Sequence, residues 1–187
     1  MIHERGYWTE MAEVGTHVCD EPLCAAIIEM YKGVKTVIDI GCGNGKYTRN
    51  LIDAGIDCIG FDGSPLTPEV TEGLCGVLDF SQVVDIGQFD LVLCLEIGEH
   101  IPVHYEQVFI NNVCQAAKKH ICLSWALEGQ AGRGHVNCRN NDYVINEIRK
   151  RGFTYKPEET QILRDSTGLN DYIWWFKNTV MVFELCL

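Results

Sequence analysis

Residues 96–104 read EIGEHIPVH, with Glu96, Glu99 and His100 at offsets of three and four, so a helical turn there would place two carboxylates and an imidazole on one side. Two chemistries suit such a group. An imidazole titrates close to neutrality, so His100, with Glu99 beside it, could serve as the general base that takes a proton from an acceptor O–H or N–H. Alternatively, His135 of GRGHVN could join Glu96, Glu99 and His100 around a divalent ion. Carboxylates suit Mg²⁺ and imidazoles suit Mn²⁺ or Co²⁺, and such an ion would lower the pKa of a bound hydroxyl. A plainer assignment keeps Glu96 near a ligand, has Glu99 and His100 cap the helix that opens after Pro102, and leaves His104 in solvent.

A second constellation precedes it. The apolar run TVIDI (36–40) leads into GCGNG, with glycines at Gly41, Gly43 and Gly45 and a helical segment behind them. Glycine is expected where φ is positive or where the backbone must approach something closely. The N–H groups and positive dipole end of the following helix favour an anionic group at the same place. Asp39 sits on the strand just before the loop, Asp62 ends the next strand where a carboxylate can accept from ribose hydroxyls, and Asp79 ends the one after. Three acids at neighbouring strand ends around one glycine loop describe a pocket for an adenosine that carries an amino acid.

The elements that must position these groups follow from periodicity. β-branched apolar runs at 36–40, 57–62, 75–80, 89–96 and 120–126 alternate with helical segments at 22–31, 46–54, 103–120 and 141–151, the pattern of an α/β fold with a mostly parallel sheet. In the fourth strand's helix Val108, Val113 and Ala116 are expected to face inward. GSPLTPEVTEGL and SQVVDIGQ are too short for full crossover helices, so the helices after the second and third strands should be stunted. FTYKPEETQIL and TVMVFELCL are expected to close the sheet as an antiparallel hairpin.

Together VIDIGCGNG, CIGFDGSP, GVLDFSQ and FDLVLCLEIGEHIP resemble the class I S-adenosylmethionine-dependent methyltransferases, over about residues 20–155. The resemblance implies a single Rossmann-like, doubly wound sheet of about seven strands with the last antiparallel, S-adenosylmethionine as cofactor, and methyl transfer to an O or N of a small-molecule acceptor or a small exposed group. It implies that Asp39, Gly41 and Gly43 line the methionine end with Gly45 and Glu96 nearby, that Asp62 holds the ribose, and that Asp79 and Phe80 border the adenine. Glu-x-x-Glu-His with a later His is similar to the metal site of small-RNA 3′-end 2′-O-methyltransferases, an alternative function, and related Glu-His turns occur in ubiquinone-pathway O-methyltransferases. Trp8, His17 and Trp125, with Tyr7, Tyr172, Trp174 and Trp175 further off, are candidates for an acceptor pocket, and residues 1–20 for a lid or substrate segment.

Composition sets the bounds. A chain of 187 residues with 47% hydrophobic and 22% charged residues fits one domain with a core of its own. The net charge of −11 disfavours long nucleic acid, whose binding depends on neutralising phosphates with Lys and Arg. No run is apolar enough to suggest a membrane partner, and the start lacks the features of a secretory signal, so a cytoplasmic setting is expected. Ten cysteines without a CxxC pair read as reduced, mostly buried thiols. Two other functions share the architecture. An NAD-type oxidoreductase is disfavoured by the Gly-x-Gly-x-Gly spacing and by Asp39, and a non-catalytic cofactor-binding partner subunit by the intact Asp39, Asp62 and Glu96. The acceptor's identity and the oligomeric state leave no mark on the sequence.

Overall fold

The structure is a computed structural model, and it describes residues 1–11, 17–168 and 173–186. Tyr172 and the middle of the expected lid segment, residues 12–16, lie outside these. In chain order the elements are α1 (Glu21–Met30), β1 (Thr36–Ile40), α2 (Lys46–Asp53), β2 (Asp57–Asp62), α3 (Thr67–Val70), β3 (Gly76–Val77) and β4 (Phe89–Cys94). Then follow α4 (Glu106–Ala116), β5 (Ala117–Leu123), α5 (Asn141–Arg149), β6 (Phe153–Tyr155), α6 (Pro157–Ser166), α7 (Phe176–Thr179) and β7 (Met181–Leu185). The seven strands lie in the order β3-β2-β1-β4-β5-β7-β6, all parallel except β7, which runs antiparallel to both neighbours.

Side chains alternate across each strand, and in the central β1 and β4 both faces are buried, as in parallel sheets covered by helices on both sides, whereas β2 leaves one face partly exposed. Ile38, Ile40, Val92 and Cys94 enter one core with Phe109, Ile110, Val113 and Ile148 of α4 and α5. Val37, Leu91 and Leu93 enter the other with Leu23 and Ile27 of α1, Leu163 of α6 and Phe176 of α7. Asp39 shares the parity of Val37, and so points toward α2 instead of joining the α4 side.

Several expectations are corrected by packing. The tail does not form a hairpin of two long strands: only Phe153–Tyr155 pairs with β7, and residues 157–166 form α6, with Pro157 at its first turn. The third strand shrinks to Gly76–Val77, and the fifth starts at Ala117, so α4 ends four residues before the expected helix end. In α4 the inward face is Phe109, Ile110, Val113 and Ala116, with Val108 only half-buried. The crossovers around β3 are stunted as expected, α3 being a single turn. All ten cysteines are free thiols. No described helix is long and apolar enough to cross a membrane.

The strand order reverses between β1 and β4, and in open α/β sheets that switch point is the crevice where ligands bind, at the carboxyl ends of the strands. The glycine loop leaves β1 there and residues 95–101 leave β4 beside it.

Candidate functional site at the strand switch point

The glycine loop is shaped by the protein as well as for a ligand. Gly41 and Gly43 have φ of +74° and +54°. A Cβ on Gly41 would sit 2.0 Å from Ile97 Cδ1, and one on Gly43 would sit 2.0 Å from Nδ1 of His17. Side chains of the β4 loop and of the N-terminal region therefore occupy the space, so these glycines are required by packing before any cofactor arrives. Gly45 caps α2 in the left-handed conformation, against Thr71 and Cys75.

Asp62 is buried and already serves the loop: it accepts from the Gly43 N–H at 3.1 Å and the Ser64 N–H at 2.9 Å. Asp39, buried as its parity demands, accepts from Thr48 Oγ1 of α2 at 2.7 Å, and burial pushes its pKa up to about 6 against that bond. Asp79 accepts from the Ser81 N–H at 2.9 Å and pairs with the Arg5 guanidinium at 3.0 Å. Asp62, Leu78, Asp79 and Phe80 border a narrow cavity of about 70 Å³. It adjoins a larger one of about 290 Å³ bordered by Asp39, Gly41, Gly43, Glu96, Glu99, His100 and His135. Trp8, His17, Gly41, Glu96, Ile97 and His100 border both. The sequence-derived cofactor residues are thus brought to one place, except Gly45, which borders neither cavity.

The β4 loop is a short 3₁₀ turn, Gly98–His100. Glu99 is fully buried and neither carboxylate oxygen has a hydrogen-bond partner. Burial, reinforced by the neighbouring Glu96, holds its pKa well above the carboxylate range. Glu99 and His100 cap nothing: the turn and helix that follow Pro102 receive no side-chain cap. His104 is exposed.

His135 reaches Glu99 because the loop after β5 is clamped to it. The N–H groups of Val136 and Asn137 both donate to the Glu99 carbonyl at 2.9 Å, and Trp125 Nε1 donates to the Asn137 carbonyl at 2.6 Å. Glu106, at the start of α4, accepts from Asn137 Nδ2 at 2.9 Å, Arg139 Nε at 2.8 Å and the Tyr143 hydroxyl. Ligand-type atoms of Glu99, His100 and His135 consequently lie within 4.8 Å of one another.

The imidazole protons follow from the partners. His100 Nδ1 faces the Gly134 carbonyl at 3.1 Å and His135 Nδ1 the Gln130 carbonyl at 3.1 Å. A carbonyl only accepts, so each Nδ1 carries the proton and each Nε2 keeps a lone pair. Burial, with the neighbouring His135, lowers the pKa of His100 to about 4, which corrects the expectation that this base titrates near neutrality.

Two further assignments change. Trp125 is not an acceptor-pocket residue: it is 2% exposed, edge-on to Phe109, and its ring lies behind Gly98, where a Cβ would come within 2.3 Å. It is the backing of the β4 loop. Glu96 stands outside the candidate metal cluster, since its carboxylate is drawn to Ser124, whose hydroxyl donates to it at 2.7 Å while accepting from the Glu96 N–H at 2.8 Å. This clamp holds Glu96 at φ +58°, and burial pushes its pKa up to about 7. Ser124 itself escaped the sequence reading, hidden as one polar residue at the end of an apolar strand, and so did Arg5. Trp8 and His17 do border the larger cavity. Trp8 meets His100 edge-on at 5.8 Å, and His17 lies against Gly43, closer to the glycine loop than to an outer pocket.

The comparisons agree with this geometry. A family model described as a methyltransferase domain matches residues 16–123. A ubiquinone biosynthesis O-methyltransferase of Methylococcus capsulatus is 28% identical over 113 residues, covering 54% of this chain and 48% of that one. A probable tocopherol O-methyltransferase of Oryza sativa is 39% identical over 100 residues, covering 46% of this chain and 27% of that one. The chain thus spans about half or less of the curated relatives it matches. Among solved structures, magnesium protoporphyrin IX methyltransferase from Synechocystis with bound S-adenosylmethionine superimposes with a TM-score of 0.62 at 18% identity, over 90% of this chain and 77% of that one. With the strand order, the glycine loop at the switch point and a family match over more than half its length, this chain belongs to the methyltransferase-domain family and has the class I S-adenosylmethionine-dependent methyltransferase fold.

Proposed function

We propose that the chain catalyses S-adenosylmethionine-dependent methyl transfer to an oxygen or nitrogen of a small-molecule acceptor, or of a small exposed group on a larger one. The observation that carries the acceptor side is Glu99: a fully buried carboxyl group with two unpartnered oxygens, next to two imidazoles whose Nδ1 protons are already committed to carbonyls. Buried polar groups are normally paired, so such a cluster calls for a partner that donates to a free Nε2 or accepts from the Glu99 carboxyl. An acceptor O–H or N–H entering between Trp8 and the cluster supplies one.

The pocket fits the cofactor by its donors and acceptors. Asp62, with lone pairs beyond those used by Gly43 and Ser64, is suited to ribose hydroxyls, Asp79 and Phe80 to the adenine, and Asp39 with the Gly41–Gly43 backbone to the amino-acid end. The cofactor supplies an activated methyl on a sulfonium. The residues of this chain hold the acceptor in line and remove its proton, and proximity accounts for much of the rate. His100 is unprotonated because burial holds its pKa low, and the clamped loop leaves its Nε2 free; as a weak base it takes the proton as the acceptor's bond to the methyl forms, not before.

A second reading concerns a divalent metal. The donor set fits one: imidazoles fixed through Nδ1 by backbone carbonyls are characteristic of metal ligands, and Glu99 brings an unpaired oxygen. Glu99, His100 and His135 would hold the ion, with Glu96 outside the set. It would supply a lowered pKa to an acceptor hydroxyl.

The test is formation of S-adenosylhomocysteine from labelled S-adenosylmethionine with a panel of small phenols and amines, alongside His100→Ala, His135→Ala and EDTA. Turnover that falls with His100→Ala supports the reading, and turnover indifferent to both His100→Ala and Glu99→Gln overturns it. Loss with EDTA and with His135→Ala, restored after EDTA by Mn²⁺ or Co²⁺, selects the metal. Indifference to EDTA selects the base alone.

A further inference from the structure

The stunted crossovers around β3 leave the adenine side of the cavity without the usual helix, yet this side is covered. The cover is a tight hairpin of residues 1–9, closed by an antiparallel bridge between Ile2 and Trp8, by the His3 N–H donating to the Tyr7 carbonyl at 2.8 Å, and by stacked His3 and Tyr7 rings 4.3 Å apart. Gly6, at φ +97°, makes the turn.

This hairpin touches each landmark of the cofactor cavity in turn. Arg5 pairs with Asp79, the acid at the end of the β3 segment. Gly6 lies on the His100 carbonyl, so closely that a Cβ would be 2.2 Å from the oxygen. The Tyr7 ring packs on Gly63, the residue after Asp62, where a Cβ would meet it at 2.9 Å. Arg5, Gly6, Tyr7 and Trp8 all border the narrow cavity, and Arg5, whose side chain is 35% exposed, keeps guanidinium N–H groups beyond the one given to Asp79. A guanidinium carries five donors, so a cavity-lining arginine with one of them committed can donate to a ligand acceptor.

We propose that residues 1–9 form the outer wall of the adenosine half of the cofactor site, with Arg5 as a cofactor-binding residue whose guanidinium, held by Asp79, donates to the adenosine. Gly6 permits the docking: with no side chain there, the hairpin sits flush on the loop that carries His100. The inference rests on the reading of this cavity as the S-adenosylmethionine site, and adds to it a wall that replaces the missing crossover helix.

The probes are S-adenosylhomocysteine and 5′-methylthioadenosine, which shares the adenosine but lacks the amino-acid end. Titration calorimetry on the full chain should show Arg5→Ala weakening both by the same factor, about tenfold, as for loss of one charge-assisted hydrogen bond. Gly6→Ala, which removes no cofactor-facing side chain but lifts the hairpin and Arg5 with it, should weaken both as well, with the melting temperature lowered only by the local strain because the hairpin lies outside both cores. Affinities unchanged in Arg5→Ala while the wild type binds both probes would overturn the wall and leave the cofactor reading standing. Weakening of S-adenosylhomocysteine alone would also overturn it, by placing Arg5 at the amino-acid end. A wild-type chain that binds neither probe would overturn the cofactor reading and the wall with it.

Discussion

Two buried glutamates stand a few residues apart, at opposite ends of one loop clamp, and their environments are opposite. Glu106 is buried, and although burial by itself would raise its pKa, bonds from Tyr143, Asn137 and Arg139 outweigh it and hold the carboxylate below its ordinary range. Glu99 is buried more deeply, has no partner in good hydrogen-bond geometry although the backbone N–H groups of Glu99 and Ala126 lean toward it, and is held well above that range by burial. Glu106 fastens the loop that brings His135 in, whereas Glu99 is the group that the loop is brought to. A buried carboxylate satisfied by donors fixes structure, while a buried carboxyl without such donors is held neutral, lowers stability and persists where a ligand completes it.

The sharpest way to break this contrast is at Glu99. Glu99→Gln should reduce methyl transfer by about a hundredfold or more, the scale of lost acid–base assistance. Glu99→Met should also be inactive yet equal or exceed the wild type in stability, because an unpaired buried polar group is replaced by an apolar side chain of similar volume. Calorimetric melting checks the second point, and a clear fall in melting temperature for Glu99→Met would show that Glu99 is structural after all.

Glu106→Ala should behave in the reverse sense. It strands the buried donor of Asn137 and the half-buried hydroxyl of Tyr143 and unpairs Arg139, at a cost on the order of 3 kcal/mol, or roughly 6–12 °C in melting temperature for a domain of this size. Activity should fall only as far as His135 contributes, and a normal melting curve would remove Glu106 from the clamp.

On the cofactor side, Asp62→Ala should weaken S-adenosylhomocysteine about ten- to a hundredfold, equivalent to roughly 1.5–3 kcal/mol. It should also lower stability modestly, because the N–H groups of Gly43 and Ser64 lose their acceptor. Unchanged affinity in calorimetry would exclude Asp62 from the ribose.

The smallest expected effect is a pH dependence. Glu96 is pushed up to about 7, from an ordinary glutamate value of 4.5. The folded protein therefore holds this proton more tightly than the unfolded chain, so its contribution to stability is complete below pH 4.5 and is lost as pH rises to about 7. His100, lowered to about 4, works in the opposite sense over the lower part of this window, so the comparison should be with Glu96→Gln. Relative to that variant, the wild type should lose stability between pH 4.5 and 7, measured by denaturant unfolding. Parallel curves would mean that Ser124 holds Glu96 ionised throughout.

The placement of the proposed cofactor residues was legible because they lie at strand ends, where period and glycine spacing mark them: Asp39 near the end of β1, Gly41 and Gly43 on the loop that follows, Asp62 at the end of β2. The acceptor half was legible in its residue types but not in its roles. Glu96, Glu99 and His100 stood out by spacing, yet nothing local says that Ser124 would take Glu96 aside, or that burial would carry His100 to about 4. Trp125 misled because an aromatic at a strand end can face a cavity or a core with equal sequence, and the Gly98 contact that fixes it is nonlocal. Arg5 was passed over since a lone arginine near a terminus has no pattern.

What the sequence by itself determined is the alternation of apolar strands and helices that makes the sheet, with the glycine loop after one strand and the Glu–His turn after another. What only the tertiary structure decided is which polar groups are satisfied. Hydrogen bonding and desolvation depend on atoms brought together from distant residues, so Glu106 and Glu99 are indistinguishable as letters and opposite as chemistry.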